Sequence, residues 1–186
     1  MNFKYIPLFF VLLFSMTGCS GNLVDSIYDY TRHGKTDETA IAFIALSNIN
    51  LTENELERII NDYAAEDDDV RKYYYEYLLS KRTQEKKYIL KFIENSNNNT
   101  QLLKSNPTRW VSIESPFYKL LSIYSRTSDE ALKVVLGLSQ ISDGAYLSVI
   151  SSDVREMYMR NPERITRVAS GLGIDETTIK TLIEEE

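Results

Sequence analysis

An apolar period of 3.6 residues runs through almost the whole chain beyond residue 35, and this pattern restricts the fold to packed helices. From Thr52 onward, Leu56, Ile59, Ile60, Tyr63 and Ala64 fall on one helical face, with Thr52 and Glu55 spaced as a capping box. Val70, Tyr73, Tyr74, Tyr77 and Leu78 repeat the spacing, and Tyr88, Ile89, Phe92 and Ile93 form a third stripe. Ala40 to Leu46 is apolar on every side, the pattern of a helix covered all round by neighbours. In the second half, Ser115-Pro116 offers an N-cap and a proline at the first helical position, followed by the stripe Phe117, Leu120, Leu121 and Tyr124. Ser128-Asp129-Glu130 opens a helix bearing Leu132, Val135 and Leu136. Ala145, Tyr146, Val149 and Ile150 mark another, with a bend or restart at Ser152-Asp153. Asn161-Pro162 starts a short helix that stops near Gly171 or Gly173. Asp175 caps the last one, with Ile174 and Ile179 as its hydrophobic staple. No segment sustains two-residue alternation, and 7 glycines and 4 prolines in 186 residues are too few for a turn-rich β-sandwich.

The expected fold class is therefore all-α: an irregular array of antiparallel helices, with α-solenoid-like helical hairpins as its regular version. Helix starts near residues 37, 53, 69 and 84 give a step of about 16, near the spacing of helical repeats. Neither the Trp-Leu-Gly-Tyr pattern of tetratricopeptide repeats nor the Thr-Pro-Leu-His of ankyrin repeats is present. The polar run Asn95 to Thr100 reads as a loop, so the helical domain, residues 36–186, is expected to divide into two lobes near 95–106.

The N-terminus has a different logic. Lys4 gives a positive start, Ile6 to Phe14 is apolar but for Pro7, and Ser15 to Gly18 leads into Cys19. So short a run cannot span a hydrocarbon core and reads as a segment to be removed, residues 1–18. Met16-Thr17-Gly18-Cys19 resembles the lipobox of bacterial lipoproteins, with Met16 in the place of the usual leucine. The resemblance implies cleavage before Cys19, diacylglycerol on its sulfur and acylation of the new amino terminus. Cys19 is the chain's one cysteine, so no intramolecular disulfide competes for it. Two or three acyl chains give the multiple anchoring that stable membrane attachment needs. Ser20 follows, where an aspartate would imply retention at the inner membrane. The resemblance thus points to the outer membrane, facing the periplasm, or to the outer face of the cell membrane in a single-membrane host. Residues 19–35 then form the lipidated cysteine and tether. Within it, Leu23, Val24, Ile27 and Tyr28 fit a small amphipathic helix ending at Gly34, and a flexible spacer fits as well.

Charge and composition narrow the chemistry. The chain has 21 basic and 27 acidic residues; removal of residues 1–18 takes only Lys4 and moves the net charge from −6 to −7. An acidic chain without a basic stripe is not expected to bind nucleic acid. His33, the single histidine, falls in the tether, which leaves no base for a Ser-His-Asp arrangement and no histidine-rich zinc site. Glu66-Asp67-Asp68-Asp69 lacks the alternation, glycine and terminal glutamate of a calcium loop, and acidic residues before a helix suit its dipole. No metal and no cofactor are expected.

Two function classes remain. Ile113-Glu114-Ser115, followed by Gly137-Leu138-Ser139-Gln140, faintly resembles the catalytic glutamate and Gly-Leu-Met-Gln element of lytic transglycosylases. The separation is several residues too long, the joining Gly-Ala-x-Gly turn is missing, and Ser115 is explained as an N-cap. That reading makes Glu114 the general acid of a glycan-cleaving enzyme. The other reading is a non-enzymatic, lipid-anchored binding protein, with an immunity-type inhibitor of a toxic effector as one version. A structural lipoprotein of an envelope machine is a third possibility, which sequence does not separate from the second. Tyrosine, with 13 copies, supplies the candidate contact surface: Tyr73, Tyr74, Tyr75 and Tyr77, with Trp110. A tyrosine-rich helical core explains the same residues.

Overall fold

The computed structural model describes residues 20–103, 115–142 and 144–184. Among them every regular element is an α-helix and there is no strand. The chain forms two compact units, residues up to Ala65 and Glu66–Glu186. The division falls at the non-helical connector Glu66-Asp67-Asp68, and Asn95 to Asn98, expected as loop, continue a helix.

The first unit contains α1 (Ser20–His33), α2 (Thr36–Asn48) and α3 (Glu53–Ala65). The expected tether is thus a packed helix, since its apolar positions have a core to enter: Val24 and Tyr28 are buried with Phe43, Leu46 and Ile59. α1 and α2 form a hairpin across Gly34, where a Cβ would lie 2.6 Å from the Tyr30 carbonyl oxygen. The Gly34 N–H donates to that oxygen at 3.0 Å, and Thr39 Oγ1 donates to the Gly34 carbonyl at 3.1 Å. Thr52 and Glu55 form the expected capping box, Glu55 Oε2 accepting from the Thr52 N–H at 2.6 Å and Thr52 Oγ1 from the Glu55 N–H at 3.3 Å.

α3 is fastened to α1 by polar groups. Tyr28 Oη and the Arg32 guanidinium both donate to Asp62. Arg58 pairs with Asp25 at 2.8 Å and lies 4.1 Å from the Tyr28 ring centroid, with Arg32 at 5.2 Å. Burial alone would raise the Asp62 carboxyl; the hydrogen bonds from Tyr28 and Arg32, with the charges of Arg32 and Arg58, outweigh it and hold it below the usual carboxylate range.

The second unit contains α4 (Asp69–Thr83), α5 (Lys86–Asn98), the single turn α6 (Thr100–Leu103), α7 (Ser115–Ser125), α8 (Asp129–Ser139), α9 (Gly144–Arg160), α10 (Pro162–Ser170) and α11 (Glu176–Glu184). α4 with α5 and α7 with α8 pair as hairpins, α8 also meets α5, α9 and α10, and α11 closes on α9. Caps fall where the sequence puts them: Asp68, Ser128 and Asn161 each accept from the N–H three residues on, and Asp175 accepts from Thr178. Ile174 and Ile179 are both buried, as a staple requires. α9 runs unbroken through Ser152-Asp153, because Asp153 is held from the side: Tyr118 and Ser122 donate to its Oδ2 at 2.8 and 2.7 Å.

The asparagine run is helical for a similar reason. Asn95 Nδ2 reaches both carboxylate oxygens of buried Glu76, at 2.9 and 2.7 Å, and Ser96 donates to the Phe92 carbonyl at 2.7 Å. Polar residues that find buried partners extend a helix that composition alone would end. α8 and α10 are joined through Asp129, which accepts from Arg164 at 2.7 Å and Arg167 at 2.8 Å.

Candidate partner-binding site

Cys19, Trp110 and Glu114 lie outside the described residues. Gln140, the proposed companion of Glu114, is exposed at the C-cap of α8. The tyrosines of α4 are described, and they are interior: Tyr73, Tyr74, Tyr75 and Tyr77 are each 1–2% exposed. None presents a ring to solvent, so the contact surface assigned to them is corrected to core. The cause lies in their neighbours. The Tyr73 ring stacks on Phe92 at 5.4 Å and Phe117 at 5.5 Å, and Tyr77 lies 4.2 Å from Phe117. The Tyr73 hydroxyl sits 3.1 Å from Ser96 Oγ, which gives the phenol a polar partner inside the core. Burial drives its acidity far down, raising its pKa above that of an ordinary phenol.

Concave surface occurs elsewhere in this unit. A groove of about 540 Å³ runs between α5 and α8. Ile93 and Val134, both nearly buried, form its floor, and Leu90 and Leu172 stand half-exposed as walls. Its rim is polar: Glu94, Asn97 and Asn98 from α5, and Glu130 with Lys133 from α8. The two carboxylates are held in place by lysines of their own helices, Glu94 by Lys91 and Glu130 by Lys133, each at 2.8 Å. Hydrogen bonding to Glu94 raises the Lys91 pKa. An apolar floor inside a ring of amides and carboxylates is suited to seating an apolar side chain whose neighbours donate hydrogen bonds.

A second concavity, about 260 Å³, lies in the first unit between α1 and α2. Ile27 and Tyr30 face Ile41, Ala42 and Ala45 across it, with Glu38 at its edge. Tyr30 is 55% exposed and Ile41 48%, so α2 is covered on one side only and not all round, as its apolar sequence suggests.

Sequence reasoning passed over both surfaces. The signal available was an apolar residue standing off its helix's buried stripe: Leu90 beside Tyr88, Phe92 and Ile93, and Leu23 and Tyr30 beside Val24 and Tyr28. Among the described residues no group of three or more His, Cys, Asp or Glu is placed to hold a metal ion, and no helix is long and apolar enough to cross a membrane. Comparison with protein-family models, curated proteins and solved structures finds no match to this chain.

Proposed function

We propose that the chain is a non-enzymatic binding protein of the bacterial cell envelope, anchored by lipid on Cys19 to the outer membrane and holding a protein partner at its periplasmic face. The observation that carries the binding half is the groove between α5 and α8, with an apolar floor at Ile93 and Val134 and carboxylates at its rim. The lipobox-like Met16-Thr17-Gly18-Cys19 carries the anchoring half. The groove favours a partner segment with one buried apolar residue flanked by basic or amide side chains. A net charge of −6, or −7 once residues 1–18 are removed, suits a basic partner, and the immunity-type version of the proposal makes that partner a basic toxic effector.

The test is a photo-crosslinking residue at Leu172 in the natively anchored protein, with captured species identified by mass spectrometry. One dominant protein is expected, lost when Leu90→Arg fills the groove and displaced from the membrane fraction in Cys19→Ala. Recovery of glycan strands without protein would sink the binding reading and bring the glycan-cleaving role of Glu114 forward.

A further inference from the structure

We infer that the apolar face of the α1–α2 hairpin is a membrane-contact surface, seated in the headgroup and upper acyl region of the bilayer that carries the Cys19 anchor. The inference rests on the lipid anchor proposed above and adds to it where the protein meets the lipid. Leu23, Ile27 and Tyr30 recur at i, i+4 and i+7 and so share one face of α1, beside the face that buries Val24 and Tyr28. Leu23 is 56% exposed and Tyr30 55%. On α2, Ile41 and Ala45 meet this stripe across the concavity, and Ile41 is 48% exposed. The surface is apolar, and Glu38 is the one acidic or basic side chain lining the concavity. The charged groups of α1 fall elsewhere: Asp25 and Arg32 are drawn to Arg58 and Asp62 of α3, and His33 sits beside Asp29.

Where the chain meets its anchor selects the occupant. α1 begins at Ser20, the residue after Cys19, so no spacer separates the acylated position from the helix. At a rise of about 1.5 Å per residue, Leu23 lies about 5 Å and Tyr30 about 15 Å along the axis from Ser20. A protein held by lipid at one end of α1 presents this face within reach of the bilayer whenever the helix lies along the surface. An amphipathic helix so placed buries its apolar face at the headgroup boundary, and a tyrosine there keeps its ring in the apolar zone and its hydroxyl in water. Anchor and face together make a two-part attachment that fixes the orientation of the first unit, which lipid alone does not.

The test uses the full acylated protein in phosphatidylethanolamine–phosphatidylglycerol vesicles that contain a lipid with a nitroxide high on its acyl chain. Cys19 is consumed by the anchor, so Leu23→Cys, Ile41→Cys and Asp29→Cys each provide one thiol for a bimane label. Circular dichroism checks that each variant remains helical, and mass spectrometry of the N-terminal peptide reports acylation. Labels at 23 and 41 are expected to be quenched several-fold more strongly than the label at 29. Equal quenching at all three sites in acylated protein overturns the contact surface and leaves the anchor standing. An unacylated Cys19 overturns the anchor and this inference with it. Unquenched labels at 23 and 41, with a photo-crosslinking residue at Leu23 capturing another polypeptide in intact envelopes, assign the face to a protein instead and overturn the inference.

Discussion

The two units of this chain are held together by different physics, and tyrosine shows it most clearly. In the first unit Tyr28 is a junction: its ring lies against the guanidinium groups of Arg58 and Arg32, and its hydroxyl donates to Asp62. In the second unit Tyr73 and Tyr77 are packing volume, stacked on Phe92 and Phe117 along a stretch of α4 buried from Tyr73 through Ser80. α3 offers one fully buried residue, Ile59, so its hold depends on charge-assisted hydrogen bonds. α4 depends on apolar area, which neither salt nor mild acid removes. The first unit should therefore answer to ionic conditions and the second to changes of volume.

The largest expected effect is on the aromatic core. Phe92 is fully buried between Tyr73, Tyr77 and Tyr124, so Phe92→Ala should cost about 3–5 kcal/mol of second-unit stability. Hydrogen exchange resolved by peptide mass spectrometry reads each unit separately. Protection should collapse in α4, α5 and α7 and persist in α1 to α3. Equal loss in both units would show that the division after Ala65 has no energetic meaning.

Titration should separate the units from opposite ends of the pH scale. Burial raises the pKa of Tyr73, and burial together with the charge of Asp153 raises that of Tyr118. A phenol that holds its proton more tightly when folded contributes stability that is complete below its unfolded value of 10.0 and is lost as pH rises beyond it. The second unit should thus lose protection first in alkali. Asp62 has the opposite sign: its lowered pKa gives stability that is present above the unfolded value of 3.8 and disappears as pH falls through the folded value. Asp129 and Glu156 are lowered too, by hydrogen bonds from arginines; the Glu156 pairs lie at the surface and are screened, whereas Arg164–Asp129 is partly buried and joins α8 to α10, away from α4. Below pH 3.8, α3 should lose protection before α4 does.

The clamp can also be cut directly. Asp62→Ala leaves Tyr28 Oη and the Arg32 guanidinium without this acceptor and should cost about 1–2 kcal/mol, a value moderated because Asp62 is partly exposed. The loss should shrink at high salt. A salt-independent loss would assign the effect to packing and remove the contrast with the second unit.

The helical architecture was legible in sequence because the 3.6-residue stripes, the caps at Thr52, Asp68, Ser128, Asn161 and Asp175, and the scarcity of glycine agree with one another. Misreadings occurred where a polar residue has a distant partner. Asn95 and Ser96 look like loop until Glu76 and Tyr73 are seen beside them, from 19 and 23 residues away. The same blindness left Tyr73 and Tyr77 undecided between rim and core, since one helical face does not say what covers it. For the candidate site, residue type was visible and depth was not: Leu90 and Leu172 are ordinary leucines until α5 and the turn after α10 bring them to one groove.

The smallest expected effect concerns how each unit ends a helix. Gly34 in the first unit is required by close approach, because an added Cβ would meet backbone oxygen at 2.6 Å and backbone has to shift. Gly34→Ala should therefore cost about 1–3 kcal/mol and loosen the α1–α2 hairpin. In the second unit α4 ends on Gln84, a non-glycine residue at φ 55° in the left-handed region. A glycine there would relieve about 1 kcal/mol of conformational cost. It would also remove Gln84 Nε2, which donates to the Ser80 and Lys81 carbonyls at 3.1 and 3.0 Å and so satisfies helix-end oxygens in a partly exposed setting. The two terms are of similar size, so Gln84→Gly should change second-unit stability by less than about 0.5 kcal/mol in urea unfolding. A gain of a full kilocalorie would mean that the side-chain cap contributes nothing. A comparable loss would mean that the cap, and not the backbone conformation, sets where α4 stops.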